Sequence, residues 1–309
     1  MHRRGRLWHG DSGSAVQFGD GEMRIAWVAM VMVMAAGGVW GQGTTVPAKL
    51  KVPAGFKAAK GTEAETYTNT GWAKEIVNEK VGLEMVFIPA GEFKMGSPAG
   101  ENYRSSNELQ HKVKITKPFY MGKYEVTQGQ VMKVMGSNPS HFTKSEKLPV
   151  EQVNWVDCQG FVAQLKRAAG NGGFALPTEA QWEYACRAGS ETIYFWGPWN
   201  NGFAECVWFA NTTSEKNTQE VGLKKPNAWG LYDMYGNVWE WCQDWFGENY
   251  YKESPEADPK GPATGTERVI RGASWKDGMA VHRSAKRYSY PPENKAGNSF
   301  GMRVVLELK

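Results

Sequence analysis

The stretch 227–245, NAWGLYDMYGNVWEWCQDW, places four tryptophans and two tyrosines among nineteen positions, and it narrows what the chain can become. Its apolar positions, Trp229, Leu231, Met234, Val238, Trp239, Trp241 and Trp245, follow neither a helical period nor a strand alternation for long. Irregular backbone wrapped tightly on itself is therefore expected. Such backbone, once buried, leaves carbonyls that side chains, water or a cation must satisfy. Asp233 and Glu240 offer carboxylate oxygens, and Gly236 and Val238 lie between them, where main-chain carbonyls can turn inward. Together they would make the hard, all-oxygen shell that calcium prefers. The spacing D-x-x-G-x-V-x-E is not a general calcium signature, and a second use fits the same residues: Asp233 capping a turn and Glu240 pairing with an arginine.

The rest of the composition agrees with a loop-rich, compact fold fastened by aromatic packing: 36 glycines, 15 prolines and 14 tryptophans in 309 residues. A net charge of +4 without any lysine or arginine block argues against a nucleic-acid partner. The four cysteines, Cys158, Cys186, Cys206 and Cys242, form no C-x-x-C and so indicate neither a zinc site nor a redox motif.

Residues 1–41 read as a signal-peptide region. From Met23 the chain has one arginine, an apolar run from Ile25 to about Ala36 and then small residues, which predicts translation from Met23, cleavage before Gln42 and export to the periplasm or medium. The apolar run is shorter than the ~20 residues of a spanning helix, so no stable membrane span is expected after cleavage. Residues 42–80, rich in Ala, Lys, Gly and Thr, read as a linker. The domain is expected over 81–309. It opens with two short strand-like runs on either side of Pro89-Ala90-Gly91, read as a hairpin. Helices are expected from Gln128 to Met135 behind Thr127, after Asn154 to about Ala169, and behind the N-cap Thr178 until Gly189. Strands are expected at RVIRGASW and from Phe300 to Leu308, giving an α+β domain.

Several blocks in this order, IPAGEFKMGS, YEVTQGQ, LPVEQVNW, LPTEAQWEYACRAG, NAWGLYDMYGNVWEW, RVIRGASW, HRSAKR and FGMRV, resemble the formylglycine-generating-enzyme family, also called sulfatase-modifying-factor domains. The resemblance implies a variant of the C-type-lectin-like fold with little regular secondary structure and bound structural calcium. Its calcium ligands fall on Asp233, Gly236, Val238 and Glu240, and a second family site would begin at Asn211 and Thr212, in a loop that is shorter here.

The catalytic part departs from that pattern. Active members carry two cysteines after G-G-S-[WY], which bind copper as thiolates. Here the motif is Gly272-Ala273-Ser274-Trp275, Asp277 and His282 stand at the cysteine positions, and no cysteine follows Cys242. A carboxylate and an imidazole are harder ligands than thiolates, so a copper(I) site is not expected. Two functions follow. One is a non-oxidase module that binds a peptide, protein or glycan in a cleft of Trp239, Ser274, Asp277, His282, Arg283 and Arg287, since aromatic faces and arginine forks suit such ligands. The other is a formylglycine-generating oxidase or related protein-modifying enzyme acting on sulfatases. Internal pairing of Arg283 and Arg287 with acids such as Glu240 or Asp244 is the alternative use of the two arginines.

Overall fold

The computed structural model describes residues 49–308 apart from 198–201, 211–215 and 295–296. The expected signal region and the second calcium pair, Asn211 and Thr212, lie outside the described residues.

The largest sheet is laid down by short strands scattered along the chain: β1 (Lys57–Ala58), β2 (Glu75–Asn78), β3 (Leu83–Ile88), β6 (Phe119–Gly122), β7 (Phe174–Ala175) and β12 (Val305–Glu307), in the order β1-β2-β3-β6-β12-β7. From Met85 to Ile88 β3 reads as a continuous apolar run because it is covered on both faces. Met85 and Phe87 join one apolar cluster with Phe161, Leu165 and Trp241, whereas Val86 and Ile88 join another with Trp182, Ala185 and Tyr235.

A second sheet, of order β10-β9-β8-β11, is built from β8 (Trp239–Trp245), β9 (Arg268–Arg271), β10 (Tyr288–Tyr290) and β11 (Phe300–Gly301). The remaining pair is β4 (Gly91–Met95) with β5 (His111–Ile115).

Three helices match their local signals. α1 (Gln128–Met135), α2 (Trp155–Ala168) and α3 (Glu179–Arg187) each begin with a reciprocal capping box, Thr127 with Gln130, Asn154 with Asp157 and Thr178 with Gln181. α3 ends one residue before the expected Gly189, at Ala188 in a left-handed conformation.

Four expectations are corrected. Residues 42–80 are not a linker over their described part: Phe56, Ala73 and Ile76 are buried, and β1 and β2 extend the large sheet. The polar loop between those strands is organised by buried Glu65, whose carboxylate accepts from the main chain of Tyr67, Thr68 and Thr70 and from the hydroxyls of Thr68 and Thr70. The runs around Pro89 do not form a hairpin, because β3 pairs with β2 and β6 while β4 pairs with β5. Proline has no N–H to continue a ladder, and here it marks the passage from one sheet to another. The last strand is split into β11 and β12, with Met302, Arg303 and Val304 carrying the chain between the two larger sheets. Finally, only the first part of 227–245 is irregular; from Trp239 it is strand β8, buried on both faces except at its far end and therefore without alternation.

Candidate functional site

The irregular part of the aromatic stretch reaches β8 through a turn that depends on glycine. Gly236 has φ of 100°, and a Cβ there would stand 1.9 Å from the Trp208 carbonyl oxygen. Asp233 and Asn237 on either side also take left-handed angles, φ 57° and 58°. Asn237 fixes the turn from both ends of its amide: Nδ2 donates to Glu125 at 2.7 Å and Oδ1 accepts from the Gln219 N–H at 3.0 Å. Glu125 also accepts from the Val238 N–H at 3.0 Å.

Glu125, Asp233 and Glu240 are buried here, and Arg303 is the cation that answers them. Arg303 donates to Glu240 at 2.7 Å, and to the carbonyls of Gly122 and Tyr232 at 2.9 Å each. Glu240 accepts in addition from the Trp182 indole at 2.7 Å. Glu240 therefore has the arginine pairing foreseen as its alternative use. Asp233 accepts from the Gly222 N–H at 2.7 Å through Oδ2, while Oδ1, buried, has no hydrogen-bond partner among the described residues. Burial raises the Asp233 carboxyl to about 6, with Glu240 adding to the rise and Gly222 and Arg303 opposing it. Burial, then Asp233 and Glu240, push Glu125 far above the usual carboxylate range. Of these three acids Asp233 alone has an unpartnered oxygen, Oδ1, to offer a hard cation, because Glu240 is taken by Arg303 and Trp182 and Glu125 by Asn237 and the Val238 N–H. Among the described residues no three His, Cys, Asp or Glu side chains converge as a metal cage, so main-chain carbonyls would have to complete the shell.

The six residues of the expected cleft divide. Trp239, Ser274, Asp277 and His282 come together. Asp277 Oδ2 accepts from the Trp239 indole at 2.9 Å, the Ser274 N–H at 2.9 Å and the Ser274 hydroxyl at 2.5 Å. His282 is fully buried beside Phe203 and Phe209, with its ring nitrogens against the carbonyls of Gly278 at 3.0 Å and Ser274 at 3.2 Å. Burial lowers its pKa, against the pull of those carbonyls. The His282 ring meets the Ser274 carbonyl and the Ser274 hydroxyl goes to Asp277, so the two do not make a nucleophile and base pair.

Arg283 and Arg287 are corrected: neither lines a cleft. Arg283 holds Glu108 through both terminal nitrogens, at 2.7 and 2.8 Å, and Glu101 at 2.7 Å. Arg287 grips Glu179 through Nε at 2.7 Å and Nη2 at 2.9 Å, and lies over the Tyr251 ring at 3.9 Å. Both are buried, and their partners are Glu101, Glu108 and Glu179, not Glu240 or Asp244. α3 explains why so much charge is inside. Its Glu179 and Glu183 also bind Arg271 at 2.8 and 2.6 Å, and Glu183 binds Arg187. Neighbouring arginines hold both glutamates below the usual carboxylate range against the burial that would raise them.

The sequence matches one family over residues 73–308, described as the sulfatase-modifying factor enzyme 1-like domain. The chain belongs to that family. Its fold is the C-type-lectin-like variant that such domains adopt, α+β with little regular secondary structure. Among sulfatase-modifying-factor relatives, the formylglycine-generating enzyme of Streptomyces coelicolor is 31% identical, covering 69% of this chain and 86% of the relative. The chaperone protein LppX of Paenibacillus barcinonensis is 30% identical over 74% of this chain and 91% of the relative. The solved structure of PvdO from Pseudomonas aeruginosa superposes with a TM-score of 0.69 at 28% identity, over 76% of this chain and 98% of that one. The family domain therefore begins near Ala73, earlier than the expected residue 81. Glu125, Arg303, Arg271 and Glu179 were missed as site-forming residues. All four lie inside the sulfatase-modifying-factor blocks YEVTQGQ, FGMRV, RVIRGASW and LPTEAQWEYACRAG, which was the available signal.

Proposed function

We propose that this sulfatase-modifying-factor domain is an exported, non-oxidase binding module for a peptide or glycan. The supporting observation is the state of the two positions where active relatives are expected to carry cysteines. Asp277 is held by three hydrogen bonds from Trp239 and Ser274, and His282 is sealed between aromatic rings and carbonyls. Neither supplies the soft thiolates that hold copper(I). The relatives include both a formylglycine-generating enzyme and a protein named as a chaperone, so membership alone leaves room for binding without oxidation. In a host lacking other such enzymes, a sulfatase co-expressed with this chain is expected to keep its unmodified cysteine by mass spectrometry. Formylglycine that depends on this chain would instead establish the oxidase.

Export rests on the composition of residues 23–41, and among the described residues no helix is long and apolar enough to cross a membrane. Amino-terminal sequencing of the exported protein is expected to begin at Gln42. Residues before Met23 in the mature protein would remove this part of the proposal.

A structural calcium would sit against Asp233 Oδ1, with the carbonyls of Gly236 and Val238 as further donors and Glu240 kept in place by Arg303. Bound to the native state alone, it adds stability by mass action. Chelator is expected to lower the melting temperature of the parent, and Asp233→Ala to lose most of that sensitivity. Identical melting curves for the parent with and without chelator would exclude the ion.

A further inference from the structure

Arg187, Arg271, Arg283, Arg287 and Arg303 each meet a carboxylate inside the protein. Burial would lower their pKa, yet those carboxylates raise it. Arg268, the first residue of β9, is different: among the described residues it has no ion pair. Burial lowers its pKa, and Asp244 is the acid that opposes this. Asp244 is itself raised to about 8, so at neutral pH it is mostly protonated and has little charge to give. The charge on Arg268 is left without a counter-ion.

Its position is nevertheless fixed. The guanidinium carbon lies 3.9 Å from the centroid of the Trp155 ring and 3.4 Å from that of Trp245, close enough for cation–π attraction to both. Trp155, the first residue of α2, is tied by its indole N–H to the Cys242 carbonyl at 3.0 Å. Trp245 ends β8, where a bulge after Trp241 brings it opposite Arg268. Arg268 Nη1 donates to the Gln243 carbonyl at 2.6 Å. Three element ends therefore set the plane of one cationic fork before any ligand arrives.

The donors not used in this arrangement define what is missing. Nε is buried without a hydrogen-bond partner, and Nη2, which is not buried, has no acceptor among the described residues. An unmet donor on a half-buried cation is costly, and most such groups in folded proteins have a partner. Nε and Nη2 lie along one edge of the fork, the edge that a carboxylate can take with two oxygens. The neighbouring acid Glu267 does not fill it, since its carboxylate accepts from the Ser289 hydroxyl. Both indoles turn a face to the guanidinium, and Gly265 lies against Trp245, where an added Cβ would stand 3.3 Å from Cγ. The approach that remains is in the guanidinium plane through Nη2, and it admits a carboxylate on a thin side-chain stem more readily than a sugar ring.

We infer that the Nη2–Nε edge of Arg268, clamped by Trp155 and Trp245, is a subsite for a side-chain carboxylate of an acidic peptide. The inference rests on the binding-module reading and specifies its ligand class. Trp155 and Trp245 are then positioning residues, acting on the ligand through the guanidinium.

The test uses the exported chain on arrays of acetylated, amidated peptides that carry either glutamate or glutamine at one position, with hyaluronan hexasaccharide as a carboxylate from a glycan and calorimetry on the strongest pair. At least one glutamate peptide is expected to bind about tenfold more tightly than its glutamine counterpart, the difference a charge-assisted fork makes. Arg268→Lys keeps the charge and the stem but not the edge, and should remove about tenfold of the glutamate peptide's affinity while leaving the glutamine peptide unchanged. On the unaltered protein, the Arg268 Nε–H resonance should move when the glutamate peptide is added, which reads the contact without any variant. Equal affinities for the glutamate and glutamine peptides, or an Nε–H resonance unmoved at saturation, would overturn the subsite and leave the module reading standing. Binding of the hexasaccharide in preference to every peptide, abolished by Arg268→Lys, would overturn the peptide assignment. No binding of any of these probes at millimolar concentration would overturn the subsite, and formylglycine in the sulfatase assay would overturn the module reading with it.

Discussion

Replacing Arg303 with methionine will lower the stability of the domain by roughly 3–5 kcal/mol, the usual cost of removing one partner from a buried ion pair. The position is severe because the guanidinium answers more than Glu240. Glu125 and Asp233 lie in the same buried cluster, and burial already holds both of their carboxyls above the ordinary range. Without Arg303, Glu240 keeps only the Trp182 indole, and the carbonyls of Gly122 and Tyr232 lose their donor. Urea denaturation should show the loss directly. A second variant, Arg303→Met with Glu240→Gln, should recover part of it, since the amide removes one stranded charge. Equal stabilities for the parent and the single variant would show that Arg303 does not hold the cluster together.

Asp244→Asn is expected to stabilise the protein at alkaline pH. Asp244 is buried on β8, accepts the Glu179 N–H at 3.0 Å, and is raised to about 8 by burial and then by the Glu179 charge, with Arg287 and Arg268 opposing. Its folded pKa therefore lies above its unfolded one, near 4. Stability linked to this group is complete below about pH 4 and is lost progressively as pH rises through 8. At roughly 1.4 kcal/mol per unit, the span amounts to several kcal/mol. The amide cannot ionise, so the variant should lack this slope and gain most over the parent near pH 9. Parallel pH profiles from urea melts would refute the assignment. The buried α3 network should not mask the effect, because Glu179 and Glu183 are held charged by three arginines across the same range.

What could be read from the chain beforehand was local. Thr127, Asn154 and Thr178 announce their helices because a capping box involves residues three apart, and all three helices start where the side chains say. Strand partners were not legible, since β3 meets β6 and β6 meets β12 across distances no periodicity records. The same divide runs through the site. Asp233, Gly236 and Glu240 stand close in sequence and could be proposed together, whereas Glu125 and Arg303 enter from far away. Arg283 and Arg287 were misplaced for a related reason: HRSAKR is polar enough to look like surface, and only Glu101, Glu108 and Glu179 make it core. Polar residues inside this protein are recognised by their partners, not by their own hydropathy.

The divided last strand also bears on when the protein can fold during synthesis. β12 lies between β6 and β7, so residues 119–122 and 174–175 are joined in one sheet only after 305–307 arrive, and β11 closes the edge of the other sheet just before them. The Arg303 charge that neutralises the central acids is delivered in the same final stretch. A nascent chain made only as far as residue 299 therefore has α1, α2 and α3 and most of its strands, yet neither of the two larger sheets is complete. Pairings this distant make for slow folding and hold it back until residues 300–307 have been made. Until then β7 has no strand to pair with and Glu240 has no guanidinium, so a chain cut before residue 300 is expected to stay open to proteolysis.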